Sequence, residues 1–154
     1  MERKQIILTE DGRKKLLDEL EYLRAVRRPE IAERIQQSKE LESTANNAEY
    51  DEAKNEQAFT EGRIIELEAL IQTASIVHPE HKETVGIGST VTLQTTDGGR
   101  EVYTIVGSVE ASAIEGKISN ESPVGMALLG KRVGQEIQVK VPAGTQKLKI
   151  VKVA

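Results

Sequence analysis

The stretch Lys39–Arg63, KELESTANNAEYDEAKNEQAFTEGR, decides the fold, because two helical patterns meet within it. Working back from Lys39, the arm before it is read from Thr9, a suitable N-cap with Glu10 and Asp11 in the first turn against the helix dipole. Leu16, Leu20 and Leu23 then recur at four- and three-residue steps, and the apolar positions resume at Ile31 and Ile35 past a charged Arg27. That four-residue stutter falls beside Pro29, which interrupts the backbone ladder. With no turn residue beside the proline, one kinked helix is expected rather than two. Working forward, Asn46 or Asn47 can cap a return helix. Its seam reads Tyr50, Ala53, Gln57, Thr60, Ile64, Leu67, Ile71 and Ala74. Two such arms form an antiparallel hairpin. At about 30 residues each, they would reach roughly 45 Å. The seam is polar or small near the tip and aliphatic near the base, so the far end is weakly packed. Such an arm suits a probe or a dimerisation element.

Glycine marks where this arm ends: two of the twelve (Gly12, Gly62) precede residue 76 and ten follow it. Charge shifts at the same place, from a net −5 over residues 1–75 to +1 over 76–154. The expected division is a hairpin over 1–76 with its tip around 39–54, a linker over 77–84 and a small domain over 85–154. In that domain the period becomes two. Val91 and Leu93 alternate before an Asp97-Gly98-Gly99 turn, and Val102–Val106 reads as a strand buried on both faces. Ile114–Ser119 reads as a short strand and Val124–Leu129 as a short helix stopped by Gly130. Ile137/Val139/Val141 and Leu148/Ile150 form a last pair of strands around Pro142-Ala143-Gly144. The class is α+β, with one modest core.

Composition argues against several functions for the chain as a whole. A net charge of −4 opposes generic nucleic-acid binding, and the absence of cysteine removes disulfides and thiolate metal sites and fits a reducing, cytoplasmic setting. No apolar run is long enough for a signal peptide or a membrane span. His78-x-x-His81 has metal-like spacing but lies in a linker segment with no partner Cys and reads as plain linker. No nucleophile elbow, phosphate loop or dinucleotide fingerprint occurs. The dense chemistry is at the tip: Glu40, Glu42, Glu49, Asp51 and Glu52 with Lys39 and Lys54. A solvated helix surface with i,i+4 pairs accounts for those charges. A contact surface accounts for the thinning of the apolar seam at the same place.

The segment NAEYDEAKNEQAFTEGRI (47–64) resembles the bacterial Gre family of transcription elongation factors, the GreA branch in particular. So do VRRPEI at Val26–Ile31, the run from Gly88-Ser89 to Ile105-Val106-Gly107, Ser122-Pro123, and Ala127–Lys131. The resemblance implies an antiparallel coiled coil followed by an FKBP-like domain that docks on RNA polymerase at the rim of its secondary channel. It implies a monomeric accessory factor, not an enzyme, whose tip promotes the polymerase's own hydrolysis of backtracked RNA. By the same resemblance Lys39 and Lys54 lie near the RNA 3′ end and Ser122-Pro123 meets the polymerase. No intrinsic metal or cofactor is implied; the Mg²⁺ belongs to the polymerase active centre.

This sequence departs from the family where the chemistry sits. Cleavage-active relatives carry an Asp and a Glu three residues apart just before Asn-Ala-Glu-Tyr, and here those positions are Ser43 and Asn46. Neutral oxygens are weak ligands for a hard cation such as Mg²⁺. Glu42, or the more distant Glu40, is the substitute carboxylate on offer. The alternative expectation is therefore a cleavage-deficient regulator that occupies the secondary channel. Prolyl isomerase activity in the second domain is disfavoured, since residues 76–154 hold one aromatic, Tyr103. A coiled-coil dimeriser without a polymerase role is the remaining class.

Overall fold

A computed structural model describes residues 4–40, 47–78 and 83–154. The chain forms two compact units, one made from residues 13–73 and the other from residues 1–12 together with 74–154.

In the first unit the outgoing arm is one continuous helical path: α1 (Glu10–Tyr22), a π-helical turn (Leu23–Arg27) and α2 (Arg28–Glu40). The expected interruption at Pro29 takes this form. Proline has no N–H and its ring crowds the carbonyl four residues back, so a wide turn just before it relieves both problems. The Arg28 N–H donates to the Leu23 carbonyl, five residues back. The inserted residue absorbs the stutter, and Leu16, Leu20, Ile31, Ile35 and Ser38 are all buried. The return arm is α3 (Ala48–Thr73), 26 residues and about 39 Å long. Ala53, Thr60, Ile64 and Leu67 are buried along it at the expected steps. Arginine–glutamate pairs cross between the antiparallel arms. Arg28 donates to Glu61 at 2.7 and 2.8 Å, Arg63 to Glu19 at 2.7 and 3.0 Å, and Arg24 and Arg34 pair with Glu68 and Glu56.

The second unit is built on a five-stranded sheet of order β5-β4-β3-β7-β6. Its strands are β3 (Thr90–Thr95), β4 (Arg100–Val106), β5 (Lys117–Ser119), β6 (Glu136–Val141) and β7 (Gly144–Val153). All pairs are antiparallel except β4 with β5. One face carries the core of Val91, Leu93, Ile105, Ile137, Val139, Leu148 and Ile150, closed by Val85 and by Leu128 of α4 (Pro123–Leu128). The Asp97 carboxylate accepts from the Thr95 hydroxyl and the Gly99 N–H, which closes the β3–β4 turn and holds its pKa below the usual value.

Three expectations need correction. Residues 6–8 do not belong to the hairpin: β1 (Ile7–Leu8) pairs in parallel with β2 (Ser75–Ile76), and Leu8 is wholly buried in the sheet-bearing unit. Two residues pair as strand because Ser75 and Val77 donate their N–H groups to the Ile6 and Leu8 carbonyls. Strand β4 is not buried on both faces throughout. Ile105 and Val106 are covered, while Val102 faces solvent. The strand predicted from Ile114 starts only at Lys117, and Ile114 is fully exposed in a turn. Of the expected linker, residues 79–82 lie outside the described set, and Thr84 already bridges to Arg132.

Candidate functional site

Among the described residues, Asn47 ties the distal ends of the two arms together. The Asn47 side-chain oxygen accepts the Tyr50 N–H at 3.1 Å, capping α3, while its amide nitrogen donates to the Ser38 carbonyl near the end of α2 at 2.7 Å. Each helix end leaves backbone groups without partners, and this side chain satisfies one from each arm. Tyr50 packs against Ile31, Ile35 and Ala53, a small cluster that sets the register of the two arms here. Lys39 follows Ser38 in the last turn of α2 and is exposed, as is Glu40. Lys54 lies in the second turn of α3, exposed, with its ammonium donating to the Gln57 side-chain oxygen at 3.3 Å. Glu49, Asp51 and Glu52 are exposed on the same first turns of α3, where carboxylates complement the helix dipole. Glu42, Ser43 and Asn46 lie outside the described residues. Their donor set is one carboxylate with two neutral oxygens, which does not fit a Mg²⁺ held by this chain alone. Among the described residues no group of three or more His, Cys, Asp or Glu could hold a metal.

Ser122 and Pro123 stand in the other unit. The Ser122 hydroxyl accepts the Gly125 N–H at 3.1 Å and donates to the Ser119 carbonyl at 2.6 Å, so it caps α4 and is committed internally. Pro123 takes the first helical position, where its missing N–H costs nothing. The groups left facing solvent on α4 are the Pro123 ring and Met126. Beside this loop lies a cavity of about 330 Å³ with an apolar side of Ile6, Ile7 and Val109 and a polar rim of Lys4, Ser108, Asn120 and Glu121. Glu121 accepts from Ser108 at 2.7 Å and pairs with Lys4 at 3.0 Å; the two hold its carboxyl below the usual range.

Two separated family models match the chain in order. One, described as "Transcription elongation factor, N-terminal", covers residues 6–76; the other, "Transcription elongation factor, GreA/GreB, C-term", covers residues 80–154. The chain belongs to the GreA/GreB family of transcription elongation factors. Among relatives of this family, the transcription elongation factor GreA of Caldanaerobacter subterraneus subsp. tengcongensis is 52% identical over 153 residues, covering 97% of this chain and 98% of the relative. That of Bacillus subtilis is 48% identical over 149 residues, covering 96% and 95%. A crystal structure of GreA factor homolog 1 from Thermus thermophilus aligns over 98% of this chain and 99% of that one, at 32% identity and a TM-score of 0.46.

Sequence reasoning did not find the residues that seat the N-terminal segment. Glu110, in the turn after β4, accepts the Thr9 N–H at 2.7 Å and also the Thr9 hydroxyl, while that hydroxyl oxygen accepts the Gly12 N–H at 3.1 Å. Thr9 is thus the expected cap, but its partner is 101 residues away. Gly12 leaves room for that carboxylate, since a Cβ there would lie 2.0 Å from the Glu110 carboxyl carbon. At Gly107 a Cβ would lie 1.9 Å from the Ile7 carbonyl oxygen, so β1 crosses directly over it. Nothing local marks either glycine, because the neighbour that requires it comes from a distant part of the chain. Among the described residues no helix is long and apolar enough to cross a membrane.

Proposed function

We propose that this chain binds RNA polymerase through its secondary channel and there promotes the polymerase's own hydrolysis of backtracked RNA, as an accessory factor rather than an enzyme. The observation that supports this reading is the match across both parts of the chain to one elongation-factor family, with relatives called GreA at 52% identity over nearly the whole length. The sheet domain docks on the polymerase through the exposed Pro123 and Met126 of α4, and the distal end of the hairpin carries Lys39 and Lys54 to the RNA 3′ end. The Mg²⁺ is the polymerase's own.

A second reading has its own observation: Ser43 and Asn46 stand where cleavage-active relatives carry acids. Under it the chain occupies the same channel without stimulating cleavage. Transcript shortening in stalled, backtracked complexes separates the two. Shortening faster than polymerase alone supports the first; binding without shortening supports the second. Under the second reading, Ser43→Asp with Asn46→Glu raises cleavage, and an unchanged rate in that variant sinks the explanation. Failure of the chain to co-elute with polymerase rejects both.

A further inference from the structure

The sheet buries one face and leaves most of the other open to solvent; at the end of β4 that second face is covered, where Val106 is buried and Thr9, Glu10 and Asp11 line a cavity with Thr104 and Val106. On the open face, strand pairing lines up Arg100, Gln94, Lys149 and Glu136 in one row across β4, β3, β7 and β6. Lys147 stands opposite Gln138, Lys140 opposite Thr145, and Lys152 opposite Thr92. All five cations are exposed, and none has an ion-pair partner among the described residues. Glu136 is the one acid among the strand residues of this face. The other acids of residues 83–154 lie in turns or on the opposite side of β4, so a nearly neutral domain carries a strongly basic face.

A β-bulge extends this face. Between Thr92 and Leu93 the pairing with β7 slips, so that Leu93 faces Ile150 and Thr92 faces Lys152. Val151 is the extra residue. Unbroken alternation would send Val151 outward with Lys147 and Lys149 and turn Lys152 toward the core. The bulge resets the parity and places Lys152 on the open face.

We propose that this face binds the backbone of double-stranded DNA without reading its sequence. Lysine ammoniums neutralise phosphates, and the interleaved Gln94, Gln138, Thr92 and Thr145 are side chains that hydrogen-bond phosphate oxygens. Four strands at about 4.8 Å spacing make a surface roughly 14 Å wide, broad and open rather than a cleft that tracks one strand. The paired rows contain no aromatic side chain, so the stacking platform that single strands need is absent from them. In a family of transcription elongation factors, the duplex at hand is the DNA template.

The test uses the full chain and a short fluorescein-labelled DNA duplex of arbitrary sequence, read by anisotropy across a salt series with no polymerase present. Weak, salt-sensitive binding is expected, with a log–log slope of up to about −4.5 for five phosphate contacts. The variant K147Q/K149Q/K152Q should bind about tenfold more weakly or worse, with the slope flattened by about 0.9 per lysine. The opposite change, E136Q, should tighten binding, a gain that misfolding cannot mimic. Unchanged affinity and slope in the triple variant overturn the proposal. So does tighter binding of single-stranded DNA or of an RNA duplex. Capture of a polyglutamate peptide with no duplex binding overturns it in favour of an acidic protein partner.

Discussion

Along the hairpin the buried positions run in single file: Leu16, Leu20, Ile31 and Ile35 on one arm, Leu67, Ile64, Thr60 and Ala53 on the other. In the sheet domain nine buried apolar residues from four strands, α4 and the segment before β3 close on one another in three dimensions. Both arrangements exclude water, but they distribute stability differently. A seam is lined on either side by solvated Arg–Glu pairs, each worth little in water. It can be loosened near one end without disturbing the other. A closed core shares its contacts, so a local intrusion is felt throughout. The hairpin can thus open from one end, while the sheet domain holds a fixed surface.

The largest expected effect is on the sheet side. Gly107→Ala places a methyl 1.9 Å from the Ile7 carbonyl oxygen, which is backbone and cannot rotate away. The cost should be about 2–3 kcal/mol in chemical denaturation, with loss of hydrogen-exchange protection at Ser75 and Val77 as β1 detaches. A variant as stable as the parent would mean that β1 does not cross Gly107 in solution. Gly12 faces a flexible carboxylate instead, so replacing it should be milder.

Asn47→Ala tests the hairpin side. It removes the α3 cap and the bond to the Ser38 carbonyl together, and should cost about 1–2 kcal/mol. Exchange protection should fall at Tyr50 and Asp51 while the amides of Ile64 and Leu67 keep theirs. Uniform loss along α3 would contradict the picture of a seam that opens from one end.

The smallest effect is electrostatic and should look alike in both regions. Glu61 is held below its ordinary 4.5 by the Arg28 guanidinium, and Glu121 by Ser108 and then Lys4. A carboxyl with a lowered folded-state pKa contributes stability that is full above its unfolded value and is lost as pH falls through the folded one. Stability should therefore decline on acidification below about pH 4.5. Carboxyl carbon NMR titrations should place both midpoints below 4.5, and Arg28→Gln should return Glu61 toward that ordinary value without moving Glu121. A Glu61 midpoint indifferent to Arg28 would show that the pair does not persist in solution.

Much of the molecule was legible from residue order, because helix and strand periodicity are local. The seam positions from Tyr50 to Leu67, the Asp97-Gly98-Gly99 turn, the strands after Val85 and the Asn47 and Thr9 caps all follow from neighbours within a few residues. Where local signals were read too far, the missing information was a distant partner. Ile6–Leu8 looked like the lead-in to the hairpin, and only pairing with Ser75–Ile76 makes it a strand of the other unit. Of the candidate site, the sequence named Lys39, Lys54, Ser122 and Pro123, and it named Ser43 and Asn46 as departures from the family's acids. It could not show that the Ser122 hydroxyl is spent on capping α4, which leaves Pro123 and Met126 to face outward.

The amino-acid order by itself determined the two kinds of unit and their class, since hydrophobic period and glycine content act within each segment. Only tertiary structure decided which carbonyl lies over Gly107, which carboxylate caps Thr9 from 101 residues away, and on which face Lys152 falls. Each of these depends on register between segments far apart in the chain. A one-residue slip in register changes the neighbour without changing the sequence that surrounds it.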